Sequence, residues 1–421
     1  MEKDEFHVIH FSDLHIGHKH VNESHVNFLL DTISAFTLLN PNSMIVFTGD
    51  LFHTKVSVDS VHTQLAIKLL NKLDTLNVPC IFINGTRSHD HNYIQTFLDI
   101  NYRNIIFVEQ TTVLELDDAL RFCNFSKKNL SIYAIPEEYL DDEEQNEVYA
   151  PLLNSASEDF YDMVLYHGTV SDVAVYNEFI EAVPFKKAPS FSTKQFFKIS
   201  NNIFAGHIHK KHLKVINNKT FCYAGSTTRM NHGEEEPKGF FIHTLKEDSE
   251  TKQLYTHKST FIENIYANIF ITAVLHKVNN DPNSLVYKFF YQNSKELIGE
   301  FDFNSETEIE KFKNIIPRNI NFRILVTNGK NPLVVKILSS LDNENPLLMI
   351  QYKNTNTNDY TLLPDDSEEA KKEVLEEINQ YKSCSSVFEA VSIYLKKEKD
   401  IEIDPSDIKR IIDVNEVEEL T

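Results

Sequence analysis

The sequence predicts an α/β protein, and three observations carry that reading. From Phe6 to about Leu245, short apolar runs alternate with longer stretches whose apolar residues recur at helical spacing. Several of the apolar runs end in Asp or His, and in α/β folds sites gather in the loops beyond the carboxyl ends of strands. The chain has 421 residues, 41% of them hydrophobic, enough for a sizeable core and two or three domains.

The elements follow in order. HVIHF (7–11), MIVFT (44–48), CIFIN (80–84), IIFVE (105–109), MVLYH (163–167) and NIFAG (202–206) read as strands. Between them, 23–39 and 60–76 read as amphipathic helices. Residues 212–226 form a hairpin pattern with Asn217-Asn218 at the turn, and GFFIHTL (239–245) is one more strand. The first region is expected to span 1–248. A second, 249–345, mixes short strands with one helix at 307–317, and NFRILVTNG (321–329) is a strand leading into an Asn-Gly turn. Residues 346–364 include an Asn- and Thr-rich stretch and read as a linker. The segment 365–421 reads as three helices. Asp366/Glu369 and Ser386/Glu389 form capping boxes, and Asp404-Pro405 starts the last. Each has one apolar stripe, which suits docking on a partner or on the chain itself.

Composition narrows the class. Cys80, Cys123, Cys222 and Cys384 are scattered with no CxxC pair, which argues against a disulfide framework and a thiolate zinc site and fits a reducing compartment. The acidic start and the lack of a long apolar run predict a soluble, cytoplasmic protein without membrane attachment. The formal net charge is -21, so nucleic-acid binding would need a local basic patch or bound cations. Histidine, at 18 residues, is the one anomaly.

Position gives those histidines a use. SDLHIGH supplies Asp13 and His15, TGDLFH supplies Asp50 and His53, and GTRSHD supplies His89 and Asp90. LYHG supplies His167, and AGHIHK supplies His207 and His209. An x-spaced pair on an extended segment puts both side chains on one side. Carboxylate and imidazole suit hard or borderline cations such as Mn²⁺. A carboxylate shared by two ions bridges them at roughly 3.5–4 Å, the spacing of two-metal sites at phosphorus; Asp50, after Gly49, is the candidate bridge. Taken singly, each motif also reads as turn caps and incidental histidines. His7, His10, His18, His20 and His91 read as structural or solvated, and Asp90 also reads as the cap of a helix near Asn92.

In this order (DxH, GD, a turn with His-Asp, a lone His, GHxH) the motifs resemble the calcineurin-like metallophosphoesterases. GDLFH and YAGSTTRMNHGEEEPKGFFIHTL (223–245) resemble the SbcD-type nuclease subunit of the double-strand-break repair complex. The resemblance covers about residues 6–245. It implies a four-layer αββα sandwich, a small α+β capping domain expected to contact DNA, and a C-terminal helical segment that binds the coiled coil of an SbcC-type ABC ATPase. It implies a homodimer that cuts DNA ends with two Mn²⁺ ions, Mg²⁺ being the alternative. Asp13, His15, Asp50 and His209 would hold one ion, and Asp50, His167 and His207 the other. His89 would steady developing charge or protonate the leaving oxygen, His53 would lie near the scissile phosphate, and Asp90 would orient His89.

One departure stands out. The family has Gly-Asn-His-Asp at the turn, its Asn oxygen completing the second site, whereas here Thr86, Arg87 and Ser88 separate Gly85 from His89. Ser88 is the expected replacement ligand, next to a backbone carbonyl or water, or a weakly held second ion. Arg87 could hold a substrate phosphate, and Lys210-Lys211 could meet a DNA backbone. Two rival functions remain open: a metallophosphoesterase acting on nucleotides or phosphoproteins, and a catalytically weak scaffold that binds DNA ends.

Overall fold

The computed structural model describes residues 5–54, 56–57, 59–90, 101–117, 129–154, 159–173, 190–279, 281, 284–327, 331–353, 404 and 406. The chain divides into two units, Met1–Tyr352 and Lys353–Thr421. In the second, the Asp404 carboxylate accepts from the Ser406 N–H at 2.9 Å; the other residues of the three expected helices lie outside the described residues.

The first unit contains two six-stranded sheets. One runs β12-β11-β1-β2-β3-β4, built from β1 (Phe6–Phe11), β2 (Ser43–Thr48), β3 (Cys80–Ile83), β4 (Ile105–Val108), β11 (Gly239–Glu247) and β12 (Leu254–Glu263). The other runs β5-β6-β7-β8-β10-β9, built from β5 (Thr112–Asp117), β6 (Asn129–Ile135), β7 (Met163–His167), β8 (Asn202–Gly206), β9 (His212–Ile216) and β10 (Lys219–Tyr223). β1 to β4 are parallel, as are β6, β7, β8 and β10.

Their sequences explain the layering. β2 is buried along its whole length, as expected of a parallel strand covered on both faces. Its Ile45 and Phe47 pack with α1 (Glu23–Leu39) and α2 (Val61–Asp74), whereas Met44 and Val46 join Ile132, Leu165 and Phe204 of the second sheet. On the far side, Tyr166, Ile203 and Phe221 pack with α4 (Asp142–Val148), α5 (Ala150–Leu153) and α6 (Thr193–Ile199), which follow a short α3 (Arg87–Asp90). The order is helices, sheet, sheet, helices. Asn22 caps α1 through the N–H groups of Ser24 and His25, and Ser60 caps α2. Each fully buried Ile, Leu or Phe contributes about 1.5–3 kcal/mol.

A third sheet, β15-β14-β13-β16-β17, has its own core with α7 (Glu306–Ile315) and α8 (Pro332–Glu344). Its strands are β13 (Phe270–Lys277), β14 (Val286–Tyr291), β15 (Leu297–Asp302), β16 (Asn321–Thr327) and β17 (Leu348–Lys353). Two boundaries differ from expectation. The second region was expected to open at 249, but β12 pairs with β11 and extends the first sheet to Glu263. The expected linker 346–364 begins as β17, because Leu348, Ile350 and Tyr352 alternate onto the third core; residues 354–364 lie outside the described residues. α8 was not anticipated. Among the described residues no helix is long and apolar enough to cross a membrane.

Candidate metal centre

The carboxyl ends of six parallel strands, three from each sheet, bring the site together. β1 leads to Asp13 and His15, β2 to Asp50, β3 to Thr86, β6 to Glu137, β7 ends on His167, and β8 leads to His207. Backbone bonds stitch the first two loops: Asp13 N donates to Gly49 O (2.9 Å), His15 N to Asp50 O (3.1 Å) and Ile16 N to Leu51 O (2.8 Å). Asp13, His15, Asp50 and His207 all hold left-handed backbone, with φ of 52°, 47°, 60° and 91°. Such conformations cost on the order of 1–3 kcal/mol each and persist where surrounding structure over-determines them, often at functional sites. Gly49 adds a requirement: with φ 93°, any Cβ there would strike the His167 ring and the Gly85 backbone.

Two clusters result. Asp13, His15 and His209 form the first, and Asp50, His167 and His207 the second, with the ligand atoms of each lying within 4.8 Å of one another. His15 Nε2 and His209 Nε2 face each other at 2.9 Å, and each is 4.0 Å from Asp13 Oδ1. Asp50 joins the two clusters, with Oδ2 3.7 Å from His15 Nε2 and Oδ1 3.4 Å from His167 Nε2.

Outer partners fix the rings. His167 Nδ1 donates to Thr48 O at 2.6 Å, and His209 Nδ1 meets Glu234 Oε1 at 3.1 Å, so both rings turn Nε2 inward. Burial pushes the His15 and His167 pKa values well below the usual imidazole range, with neighbouring histidines adding to the effect. Burial also pushes Asp50 well above the usual carboxylate range, and the charges of Asp13 and Asp90 add to it. With His15 and His167 held neutral, Asp13 and Asp50 can both be ionised only beside a compensating positive charge, which a divalent cation would supply. The donor set fits hard or borderline ions.

The turn at 85–90 corrects two expectations. Ser88 is exposed on α3, whereas Thr86 and the expected ligands are buried or half-buried. Thr86 takes the inward position. Its carbonyl accepts from His89 N and Asp90 N, so residues 87–90 wind into a helical turn that puts Thr86 and His89, three apart, on the same face. The Asp90 carboxylate does not orient His89. It accepts from the N–H groups of Asp50 (2.8 Å), Leu51 (2.9 Å), Phe52 (3.2 Å) and Gly85 (2.9 Å), clamping two ligand loops together. Burial raises its pKa to about 6, and those donors oppose the rise. His89 Nδ1 is held instead by the His53 carbonyl. The His53 and His89 rings stack at 5.7 Å, and both approach His15.

Two residues were missed from sequence. Thr86 Oγ1 lies 3.3 Å from His167 Nε2, 3.4 Å from His207 Nδ1, 3.5 Å from Asp50 Oδ2 and 3.4 Å from Glu137 Oε2. The mixed polar and apolar run of β6 lacks a clear strand signature, which hides the place of Glu137 at a strand end. Of the other basic candidates, Arg87 and Lys210 are exposed, while Lys211 lies over the Phe261 ring, 3.5 Å from its centroid.

No family model matches the chain, and no curated protein matches its sequence. Solved structures similar to it include a Vps29 mutant from Entamoeba histolytica (11% identity, TM-score 0.27, covering 62% of this chain and 99% of that one). A phosphatase from Mycoplasma pneumoniae matches at 10% identity and TM-score 0.36, over 62% of this chain and 94% of that one. Vps29 from Cryptosporidium parvum matches at 14% identity and TM-score 0.28, over 71% and 99%. At these TM-scores the likeness carries no weight for the activity, and the functional reading rests on the side chains above.

Proposed function

We propose that this protein is a two-metal phosphodiesterase that cuts DNA, with Mn²⁺ as the working ion. The observation that carries the reading is the position of Asp50, which turns one oxygen towards each cluster. Ions held there would activate water and neutralise charge developing at phosphorus. The chain's own groups do the rest. His89, tethered at Nδ1, keeps Nε2 available. Burial lowers its pKa, so it is neutral without substrate. A phosphate's negative charge favours the protonated ring, whose Nε2–H then donates to the leaving oxygen. His53 flanks the same approach. Positive charge on bound ions is also what a chain of net charge -21 needs in order to meet DNA.

The resemblance of the motifs to SbcD-type nucleases extends the proposal to DNA ends, a homodimer, and an ABC-type ATPase whose coiled coil meets residues 365–421. The test compares Mn²⁺-dependent turnover of linear DNA and a small aryl phosphodiester, for wild type and His89→Ala. Wild type should cut both, and the variant should lose about 10²-fold or more on DNA. Cleavage of the small ester but of no DNA, with or without the ATPase, would leave a phosphoesterase of another substrate class and remove the nuclease reading.

A further inference from the structure

The second cluster has more around it than the two-metal reading requires. Thr86 Oγ1 has four polar neighbours at 3.3–3.5 Å, all longer than a good hydroxyl hydrogen bond. A hydroxyl has one proton and two lone pairs, so it cannot satisfy all four. The spacing has another meaning: donors that share one ion at about 2.1 Å stand roughly 3.0–3.5 Å from one another. Glu137 stands at the edge of this group. Its Oε2 is 3.4 Å from Thr86 Oγ1 and 3.8 Å from His207 Nδ1, and its side chain is only 5% exposed. The Tyr139 hydroxyl donates to the other oxygen, Oε1, at 2.6 Å, which leaves Oε2 turned towards the cluster.

We propose that Thr86 and Glu137 complete the second ion's donor set, Thr86 giving a neutral oxygen and Glu137 an anionic one. The proposal rests on the two-ion reading above and deepens it. The lengthened turn then loses nothing. It exchanges a neutral amide oxygen for a neutral hydroxyl, and the neighbouring sheet contributes a carboxylate through β6. The charge balance changes with it. Asp13 and Asp50 alone leave two divalent ions with two uncompensated positive charges; adding Glu137 leaves one. A donor set richer in anionic oxygen favours Mn²⁺ or Mg²⁺ over softer ions and holds the second ion more tightly. Tyr139 acts as a positioning residue through Glu137.

The test is Mn²⁺ titration of the full chain by calorimetry, with metal content by mass spectrometry and the spin-coupled electron paramagnetic resonance signal of a two-ion centre. The variants are Glu137→Gln, Thr86→Val and Ser88→Ala, with thermal melts to show that each folds. Wild type and Ser88→Ala should hold two ions and show the coupled signal. Glu137→Gln and Thr86→Val should keep one ion at wild-type affinity and lose the other by 10-fold or more, with the coupled signal gone. A smaller loss in Tyr139→Phe would support its positioning role and stands in if Glu137→Gln does not fold. Two ions held equally well by wild type and Glu137→Gln would overturn this inference alone. Fewer than two in the wild type would overturn the two-ion reading beneath it.

Discussion

Among the described residues, two places gather metal-ligating side chains, and they differ in charge, backbone and exposure. At the strand ends, five imidazoles (His15, His89, His167, His207 and His209) meet Asp13 and Asp50 on strained loops, with the His207 and His209 side chains still 31% and 32% exposed. Between the two sheets, His10, Cys222 and His243 also converge within 4.8 Å, fully buried and without a carboxylate. There the regular strands themselves place the residues: His10 Nε2 meets Thr48 Oγ1 at 3.0 Å, His243 Nδ1 meets Ser259 Oγ at 2.8 Å, and the His243 ring stacks on Phe204 and Phe241. Burial raises the Cys222 thiol pKa well above its usual value, so no thiolate is on offer. The comparison teaches that convergence of ligand types alone does not make a site. Anionic donors, strained loops and an approach for solvent separate the strand-end cluster from three polar residues absorbed into a core.

The sharpest way to break that contrast is Asp50→Asn. One substitution removes the charge that faces both clusters. The expected result is loss of both ions by metal analysis and a fall in DNA cleavage beyond the 10–100-fold that outer partners of metal ligands typically cost. Two ions retained in Asp50→Asn would show that the clusters do not share this carboxylate.

Asp90→Ala comes next. The side chain makes no claim on an ion, but four buried N–H groups lose their acceptor, two of them flanking ligand positions. Stability should fall on the order of 3 kcal/mol by urea unfolding, and ion affinity should fall about 10- to 100-fold as the Asp50 and Gly85 loops separate. Asp90→Asn, which keeps one acceptor oxygen, should lie between the variant and wild type. A melt unchanged in Asp90→Ala would mean that the clamp is not what holds the loops.

How far the site could be read from sequence follows the same division. Asp13, His15, Asp50, His167, His207 and His209 were legible because each sits at the end of a continuous apolar run, in a short motif whose spacing already implies geometry. Thr86 was not, because counting one residue back from His89 assumes an extended turn, and the chain instead winds a helical turn there; Ser88 then points about 100° away from His89. Glu137 follows β6, whose run NLSIYAI opens with alternating polar residues and lacks the continuous apolar signature. In the third sheet, Asn331-Pro332 is a helix start, and the Asn331 side chain does accept from Leu333 N at 2.9 Å. That cap signal lies in a region whose strand pattern is weaker, so the sequence pattern alone does not mark a helix there.

The smallest effect is expected at the inter-sheet cluster, where it reads out as a pH dependence of stability rather than as ion binding. Burial lowers the His243 pKa to about 3, and His10 is likewise held well below its usual value. Each ring is therefore neutral in the folded protein, while in the unfolded chain it titrates near 6.5. Between pH 6.5 and 3 the unfolded state binds more protons. The stability contributed by these groups is fully present above about pH 6.5 and is lost as pH falls below it, at about 1.4 kcal/mol per pH unit for each ring. His243→Phe preserves the aromatic packing against Phe204 and Phe241 and leaves Ser259 half-exposed, where water can take the vacated bond. On metal-free protein, the variant's loss of unfolding free energy from pH 6.5 to 5 should be smaller than the wild type's by about 2 kcal/mol, with ion binding at neutral pH unchanged. An identical pH slope in the two proteins would mean that His243 is not held neutral by the core. A lost ion would mean that the inter-sheet cluster is coupled to the metal centre after all, and the contrast between the two would fail.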